Sequence, residues 1–182
     1  MLAEAKPSID IFIKSGLNEL KKKLGPILWQ FAPTKKFEQE DFGKFLALLP
    51  TTLDGLKLRH ALEVRHESFA VPEFVALARK HGAAIVYAHH NTYPEIADIT
   101  ADFVYARLQQ TAAKAETGYT TAEIKKWTAR AEEWSQGRVA KDLSVKGKPS
   151  KPAPTDVFLY FISGAKERNP AAAQALLKEL KK

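Results

Sequence analysis

The chain has 182 residues, of which 45% are apolar and 27% charged, proportions typical of one globular domain rather than of a disordered segment. It contains no cysteine, which excludes disulfides, thiolate metal sites and a cysteine nucleophile. The formal net charge is +7, and more than half of this excess lies between positions 138 and 151, where five cationic residues face one aspartate.

Neither a membrane segment nor a secretory signal is indicated. No run approaches the roughly 18 consecutive apolar residues that a membrane helix requires. The first residues also lack a basic region followed by a long apolar stretch, which is the pattern of a secretory signal. We therefore expect a soluble cytoplasmic protein with no membrane partner.

Helices and strands alternate along the first half of the sequence. The predicted elements, in chain order, are a helix over 8–24, a strand over 26–31, a helix over 38–49, a strand over 59–65 and a helix over 72–81. Gly25-Pro26 ends the first helix, because neither residue favours its continuation. Pro72 suits the first turn of the third helix, and Gly82 suits the position just after its end.

The second half continues the alternation with one interruption. The predicted elements are a strand over 83–88, a strand over 101–109, a helix over 120–136, a strand over 156–162 and a helix over 169–180. A polar loop over 89–98 replaces a helix between the first two strands. Asn169 is predicted to cap the last helix, with Pro170 in its first turn. The buried face of the helix over 120–136 is predicted to carry Ile124, Trp127, Ala131 and Trp134.

Strands that are apolar throughout and separated by helices indicate an α/β fold. Their parallel sheet is either covered by helices on both faces or closed as a barrel. We expect one domain over 1–182, in which 139–155 forms a basic loop rich in Pro and Lys. Residues 146–154 are predicted to be extended and mobile. Such a charge run is usually a solvated loop, and a phosphate-binding strip is the alternative reading.

The stretch RHALEVRHESF, Arg59–Phe69, combines a strand with three chemically useful side chains. Glu63 and Arg65 alternate with apolar residues and therefore lie on one face of the strand. His66 follows at the carboxyl end, where parallel α/β proteins place their sites. We expect the pair to orient a substrate and Glu63 or His66 to move a proton. The alternative is a structural ion pair that braces the interior.

A second polar set lies on the strand over 101–109. Tyr105, Arg107 and Gln109 are spaced by two residues, so they share one face and are expected to line a cavity. Gln30 ends the strand over 26–31 and is expected to reach the same cavity. Its alternative role is to bond a neighbouring backbone group.

Several separate segments resemble one family, the domain of unknown function 72 (DUF72, YecE-like) family. RHALEVRHESF resembles its E-x-R-H-x-S-aromatic signature. Further matches, in the right order, are LGPILWQFAP, TADFVYARLQ, GYTTAEIKKWTARAEEW and FLYFISGAKERNPAAAQAL. The resemblance covers most of the chain from about Leu24 onward.

The resemblance implies a TIM-barrel-like (β/α) fold that is incomplete. The five strands resemble the fourth to the eighth of the family, whose opening strands have no counterpart here. A complete barrel of this type has roughly 250 residues. We therefore expect the outer strands, 26–31 and 156–162, to pair with each other or with another chain.

Three further residues are candidates at the mouth of such a barrel. His89 and Tyr119 are expected to contact a substrate from loops. Lys166 precedes the last helix, where an anion is favoured. His89 and His90 are adjacent and would point opposite ways on an extended chain, so we expect no shared metal. We expect no cofactor.

Three functions remain open at this stage. The first is an enzyme-like barrel that binds an anionic or polyol small molecule through Arg65 and Arg107. The second is a non-catalytic binding module, associated with nucleic acid through the basic loop and the mouth arginines. The third is a degenerate or truncated family member without activity. A fold alone does not decide among them, because barrels host many reactions.

Overall fold

The computed structural model describes residues 1–182, apart from the side chain of Ala3. The strands are β1 (Ile27–Gln30), β2 (Thr52–Leu53), β3 (Leu56–Lys57), β4 (His60–Glu63), β5 (Ala84–His89), β6 (Phe103–Leu108) and β7 (Asp156–Phe161). The α-helices are α1 (Lys6–Ile13), α2 (Gln39–Leu48), α3 (Pro72–Lys80), α4 (Thr121–Ser135) and α5 (Asn169–Glu179). Short 3₁₀ segments occupy Leu2–Glu4, Leu17–Lys23, Glu67–Phe69 and Lys166–Arg168.

Five of these strands form one parallel sheet in the order β1-β4-β5-β6-β7. This confirms the predicted α/β fold and its five parallel strands. The outer strands are β1 and β7, as expected. Within the described chain they are not hydrogen bonded to each other, so the expectation that they pair within one chain is wrong.

The N-terminal helix is shorter than predicted. It ends at Ile13 instead of Leu24, because Gly16 adopts φ 100°, a left-handed conformation that interrupts an α-helix. A 3₁₀ segment over Leu17–Lys23 follows. The isoleucine and leucine pattern continued through the break, which is why periodicity alone did not show it.

Asn169 does not cap the last helix, contrary to the prediction. It is the first residue of α5, where its amide nitrogen donates to the Ser163 carbonyl at 3.2 Å and its amide oxygen accepts from the Thr111 hydroxyl at 2.8 Å. The side chain therefore joins the loop after β6 to the loop after β7.

A small antiparallel hairpin, β2–β3, was not predicted. Asp54 and Gly55 form its turn with φ of 48° and 78°. Two consecutive left-handed residues are typical of a type I′ turn, for which Asp-Gly is a preferred pair. The Asp-Gly signal was present in the sequence.

Helices pack on one face of the sheet in two buried clusters. The cluster under α1, α2 and α3 is rich in phenylalanine, and its completely buried rings are Phe42, Phe69 and Phe74. The cluster under α4 and α5 contains Trp127 and Trp134. Ile124, Trp127, Ala131 and Trp134 are all buried, which confirms the predicted core face of α4.

The other face of the sheet, here called the inner face, packs largely on its own side chains. Ala61, Ala84, Val86, Phe103 and Tyr105 form its buried cluster. Alternation along each strand assigns these residues to the face opposite the helices.

The sheet curls around this inner face. Arg59 precedes β4, yet its guanidinium pairs with Asp156 at the start of β7 at 2.8 Å. It also lies 4.6 Å from the centre of the Phe158 ring. Since β5 and β6 separate β4 from β7 in the sheet, only a curved sheet brings these residues into contact.

The basic segment 139–155 has no regular secondary structure, but it is attached to the body of the protein. Asp98 accepts hydrogen bonds from the backbone N–H of Lys146 at 2.7 Å and of Gly147 at 2.9 Å. The Ser150 hydroxyl donates to the carbonyl of Ile99 at 3.2 Å.

Among the described residues, no helix is long and apolar enough to cross a membrane.

Candidate functional site

Polar side chains meet on the inner face at the carboxyl ends of the strands, a region here called the mouth. Gln30 and Glu63 end β1 and β4 and are direct partners in the parallel register. Arg107 lies near the end of β6, opposite Ala88 of β5. The alanine is small, which lets Arg107 reach across β5 to the carboxylate on β4.

Glu63 is the centre of this group. It is completely buried, and its Oε1 accepts hydrogen bonds from Nε and Nη2 of Arg65 at 2.9 and 2.8 Å. Its Oε2 accepts from Nη1 of Arg107, which also donates to the amide oxygen of Gln30 at 3.2 Å. Two guanidiniums thus share one carboxylate, and the group keeps a net positive charge. Burial lowers the pKa of Arg107 from its ordinary value.

Tyr93 extends the group in a way that the sequence analysis missed. The guanidinium of Arg65 lies 4.8 Å from the centre of the Tyr93 ring, within cation–π range. The His90 ring also stacks on Tyr93, with ring centres 3.8 Å apart. The sequence feature that could have indicated Tyr93 is its place in the loop that follows the carboxyl end of β5.

His66 lies next to this group in sequence but is engaged elsewhere. Its Nδ1 accepts from the backbone N–H of Ser68 at 3.1 Å and lies 2.9 Å from the Ser68 hydroxyl. It therefore caps the 3₁₀ segment Glu67–Phe69. The same serine oxygen accepts from the backbone N–H of Phe37.

His89 and Tyr119 lie on the helix side of the sheet. His89 is partnered with Leu108 in the register and packs edge-on against Trp127, with ring centres 4.8 Å apart. Burial lowers the pKa of His89. The Tyr119 hydroxyl accepts from the backbone N–H of Gln110 at 3.2 Å, and burial raises its pKa to about 12. The sheet separates both residues from the Glu63 group.

Tyr105 lies on the inner face, whereas Gln109 follows the last residue of β6, Leu108. Tyr105 is buried and stacks on Tyr160 of β7 at 4.9 Å, and burial raises its pKa to about 12. Gln109 is also buried, and among the described residues its amide nitrogen has no hydrogen-bond partner. Such a donor is usually satisfied by a ligand or a water.

Lys166 is exposed in the 3₁₀ segment before α5. The structure therefore brings together Gln30, Glu63, Arg65 and Arg107, with Tyr105 deeper on the same face, whereas His66, His89, Tyr119 and Lys166 have other surroundings. Within the part of the chain that is described, no three histidine or carboxylate side chains converge as a metal-binding group.

Comparison with known proteins identifies a family and a fold. Residues 1–182 match the sequence model of a family described as "Protein of unknown function DUF72". A crystal structure of a DUF72 family protein from Enterococcus faecalis V583 is similar, with a TM-score of 0.68 at 18% identity over 96% of this chain and 68% of that chain. No curated protein matches the sequence.

A second solved structure gives the same result. It is a DUF72 family protein from Thermotoga maritima MSB8, with a TM-score of 0.67 at 20% identity over 98% of this chain and 66% of that chain. This chain therefore spans about two thirds of the length of these two proteins. At such identities the likeness shows the fold, which is TIM-barrel-like.

Proposed function

This chain belongs to the DUF72 family of proteins of unknown function, and we propose that the mouth of its curled sheet binds a small anionic or polyol molecule. The supporting observation is the arrangement of Arg65 and Arg107 around the buried carboxylate of Glu63. This is the site that the E-x-R-H signature and the alternation on β6 predict.

The balance of charge supports an anionic ligand. Two guanidiniums face one carboxylate, so the group carries one positive charge in excess. The side chains of Arg65 and Arg107 are 19% and 17% exposed, so each is mostly removed from water but not sealed. In such surroundings an anion gains more from a guanidinium than it would in bulk water.

Aromatic and amide groups beside the charges suit a ligand with hydroxyl groups. Tyr93 covers Arg65, and Tyr160, which is 40% exposed, lies on Tyr105. Gln30 is exposed at the same end of the sheet. Amide and phenol groups can bond hydroxyls, and ring faces can pack on the carbon skeleton of a polyol.

Proton transfer by Glu63 or His66 belongs to this proposal as its enzymatic form. Both oxygens of Glu63 accept guanidinium hydrogen bonds, which favours an anchoring role for its carboxylate. His66 uses Nδ1 as the acceptor of the Ser68 N–H, so its Nε2 carries the proton in the neutral form and would donate to a substrate.

Titration calorimetry with glycerol 3-phosphate, inorganic phosphate and glycerol tests the proposal. We expect the two phosphates to bind and glycerol 3-phosphate to bind more tightly. Arg65→Gln and Arg107→Gln should each weaken binding about tenfold, because each removes a charge-assisted hydrogen bond. Lys44→Gln, which changes an exposed cation on α2 that lies in neither proposed site, is the control. Equal binding by the mouth variants and the wild type would refute the proposal.

The nucleic-acid alternative is separated by salt dependence. Lys141, Lys148 and Lys151 lie in the basic segment. If they neutralised phosphates of duplex DNA, binding would release counterions, and the affinity would fall steeply as the salt concentration rises. Affinity for DNA that survives at physiological salt and is lost when these lysines are replaced by glutamine would favour that alternative. No aromatic side chains are interleaved with these lysines in the sequence, which is why the small-molecule site is preferred.

Self-association through the open edges of the sheet is a second proposal. β1 and β7 each pair with a neighbour on one side only. A groove of about 410 Å³ runs along β7 between α4 and α5, and Leu177 and Leu180 on its wall are 56% and 42% exposed. Unpaired strand edges beside exposed apolar groups favour association with another chain.

A further inference from the structure

We propose that a cavity at the amino end of the sheet binds a small organic anion with an apolar body. The cavity has a volume of about 300 Å³, which is at the lower end of the range for small-molecule sites. Its walls come from the end of α3, from Asp98 and Ile99 before β6, and from residues 137–152 after α4. Each of these segments leads into the amino end of a strand, so the cavity and the mouth lie at opposite ends of the sheet.

The wall of the cavity is mainly apolar. Its apolar side chains are Ile99, Val139, Leu143, Val145, Pro149 and Pro152. Removing such a surface from water is favourable only if the ligand presents hydrocarbon or an aromatic ring to it. A bare inorganic ion would leave that surface without a partner, so the wall argues for an organic ligand.

The polar part of the wall favours a negative charge on that ligand. Three cationic side chains line the cavity, Arg79, Arg138 and Lys141. Arg138 is engaged by Glu133 at 2.8 and 3.0 Å. Arg79 differs, because its Nη2 donates only to the Ile99 carbonyl at 3.3 Å, and among the described residues its buried Nε has no hydrogen-bond partner. An anionic group of the ligand would supply the missing countercharge.

The only acidic side chain of the wall is already compensated by the backbone. Both oxygens of Asp98 accept N–H groups, from Lys146 at 2.7 Å and from Gly147 at 2.9 Å. Asp98 keeps its negative charge, but the three cationic side chains of the wall outnumber it. The same bonds hold the basic segment over the cavity as a wall, so the segment has a specific place rather than being a solvated loop alone.

Glycine makes this close attachment sterically feasible. A side chain at Gly147 would place its Cβ 2.6 Å from Cγ1 of Val75. At Gly137, where φ is 72°, a Cβ would lie 2.2 Å from the Ala153 carbonyl oxygen. The middle of the segment therefore approaches α3, and the chain just before the segment approaches its far end, more closely than other residues allow.

Calorimetric titration of the full chain with phenyl phosphate tests this proposal, with inorganic phosphate and phenol as its two halves. We expect phenyl phosphate to bind at least tenfold more tightly than either half. Arg79→Gln removes the charge, and Ala140→Phe fills the cavity, since Ala140 lies in its wall. Each should weaken phenyl phosphate binding about tenfold or more. Circular dichroism checks that both variants are folded.

The control is Lys44→Gln, which changes an exposed cation that lies in neither the cavity nor the mouth and should leave this binding unchanged. Loss of phenyl phosphate binding in Arg65→Gln, with full binding in Arg79→Gln and Ala140→Phe, would assign the ligand to the mouth and overturn the proposal. It would also be overturned if phenyl phosphate does not bind, or if it binds no better than its halves. Neither result affects the test of the mouth with glycerol 3-phosphate.

Discussion

Glu63 illustrates how one residue can hold an arrangement together. A completely buried carboxylate is costly unless it is paired, and here each oxygen receives a guanidinium. The two arginines come from different parts of the chain, one from just after β4 and one from β6. The carboxylate therefore ties these parts of the sheet together at the mouth.

Replacing Glu63 by Gln should destabilise the protein by about 3 kcal/mol, because it leaves two largely buried guanidiniums without their countercharge. The midpoint of urea denaturation measures this. Glu133→Gln, which breaks an exposed pair with Arg138, is the control and should change the midpoint little. Equal midpoints for Glu63→Gln and the wild type would contradict the bracing role of Glu63.

His60 makes stability depend on pH. Its Nδ1 accepts from the Trp29 indole N–H at 3.0 Å, and its Nε2–H donates to the Pro50 carbonyl at 2.7 Å, so the ring is neutral. Burial lowers its pKa below the ordinary 6.5. The contribution to stability is complete above pH 6.5 and is lost as pH falls from there toward the lowered folded-state pKa, because the unfolded chain takes up the proton first.

Urea unfolding at pH 7.5 and pH 5.0 should therefore show a loss of stability at the lower pH. His60→Gln should be less stable than the wild type at pH 7.5 but should lose less on acidification. His89, whose pKa burial also lowers, adds a loss of the same sign. Parallel pH dependences in the wild type and His60→Gln would rule out this contribution.

The alternation of side chains along the strands predicted part of the candidate site. Alternation correctly related Glu63 to Arg65 and placed Arg107 on the same inner face. Alternation could not predict which side chains of β5 lie on the inner face, because residues 84–88 are apolar on both faces of the strand. His89 was expected at the mouth as a loop residue, whereas it is the last residue of β5 and packs against Trp127 of α4. Tyr93 was missed because nothing in a loop sequence fixes its approach to Arg65.

At the scale of elements, hydrophobic periodicity predicted the regular helices and strands, but it did not predict where a helix is interrupted. The five strands of the parallel sheet and the helices α2 to α5 were predicted nearly in full, because apolar runs and turn residues delimit them. The end of α1 depended on the conformation of Gly16, which the surrounding pattern does not reveal. The placement of 139–155 depended on Asp98, 49 residues before Gly147 at its middle, and no local sequence rule connects the two.

Asp98→Ala should release the basic segment. The substitution removes two hydrogen bonds to a buried carboxylate, each normally strong, so the open form should rise about tenfold or more. Limited trypsin digestion followed by mass spectrometry should show faster cleavage after Lys141 and Lys146. Asp102→Ala, which breaks an exposed pair with Lys57, is the control. Unchanged cleavage would show that Asp98 does not anchor the segment.

At the scale of the whole molecule, the sheet is curved, yet its outer strands β1 and β7 are not paired with each other. Arg59 draws β4 toward β7 at the amino end, and Arg107 draws β6 toward β4 at the carboxyl end. The sheet thus has the curl of a barrel wall although its outer strands are not joined. The family resemblance predicted this incompleteness, whereas composition alone indicated only an ordinary globular domain.

We expect the isolated chain to associate in a concentration-dependent manner, as measured by sedimentation equilibrium. Replacing Leu177 and Leu180 together by Lys should weaken association at least tenfold, because charges would then lie beside the β7 edge. Both side chains are already largely exposed, so the fold should be retained. Lys178→Ala on the same helix is the control. A wild-type monomer at every concentration would refute the proposal.

The order of strands in the sheet also bears on how the protein is assembled. Each strand of the sheet pairs with the sheet strand that precedes it along the chain. During synthesis, the neighbour with which each new sheet strand pairs has therefore already been synthesised. No strand of the sheet depends on a segment much later in the chain for this pairing. A sheet built in this way can be lengthened or shortened at either end by whole βα units without rearranging those in between. Gene fusion or fission in such a protein would alter the size of the sheet while leaving its interior pairings intact.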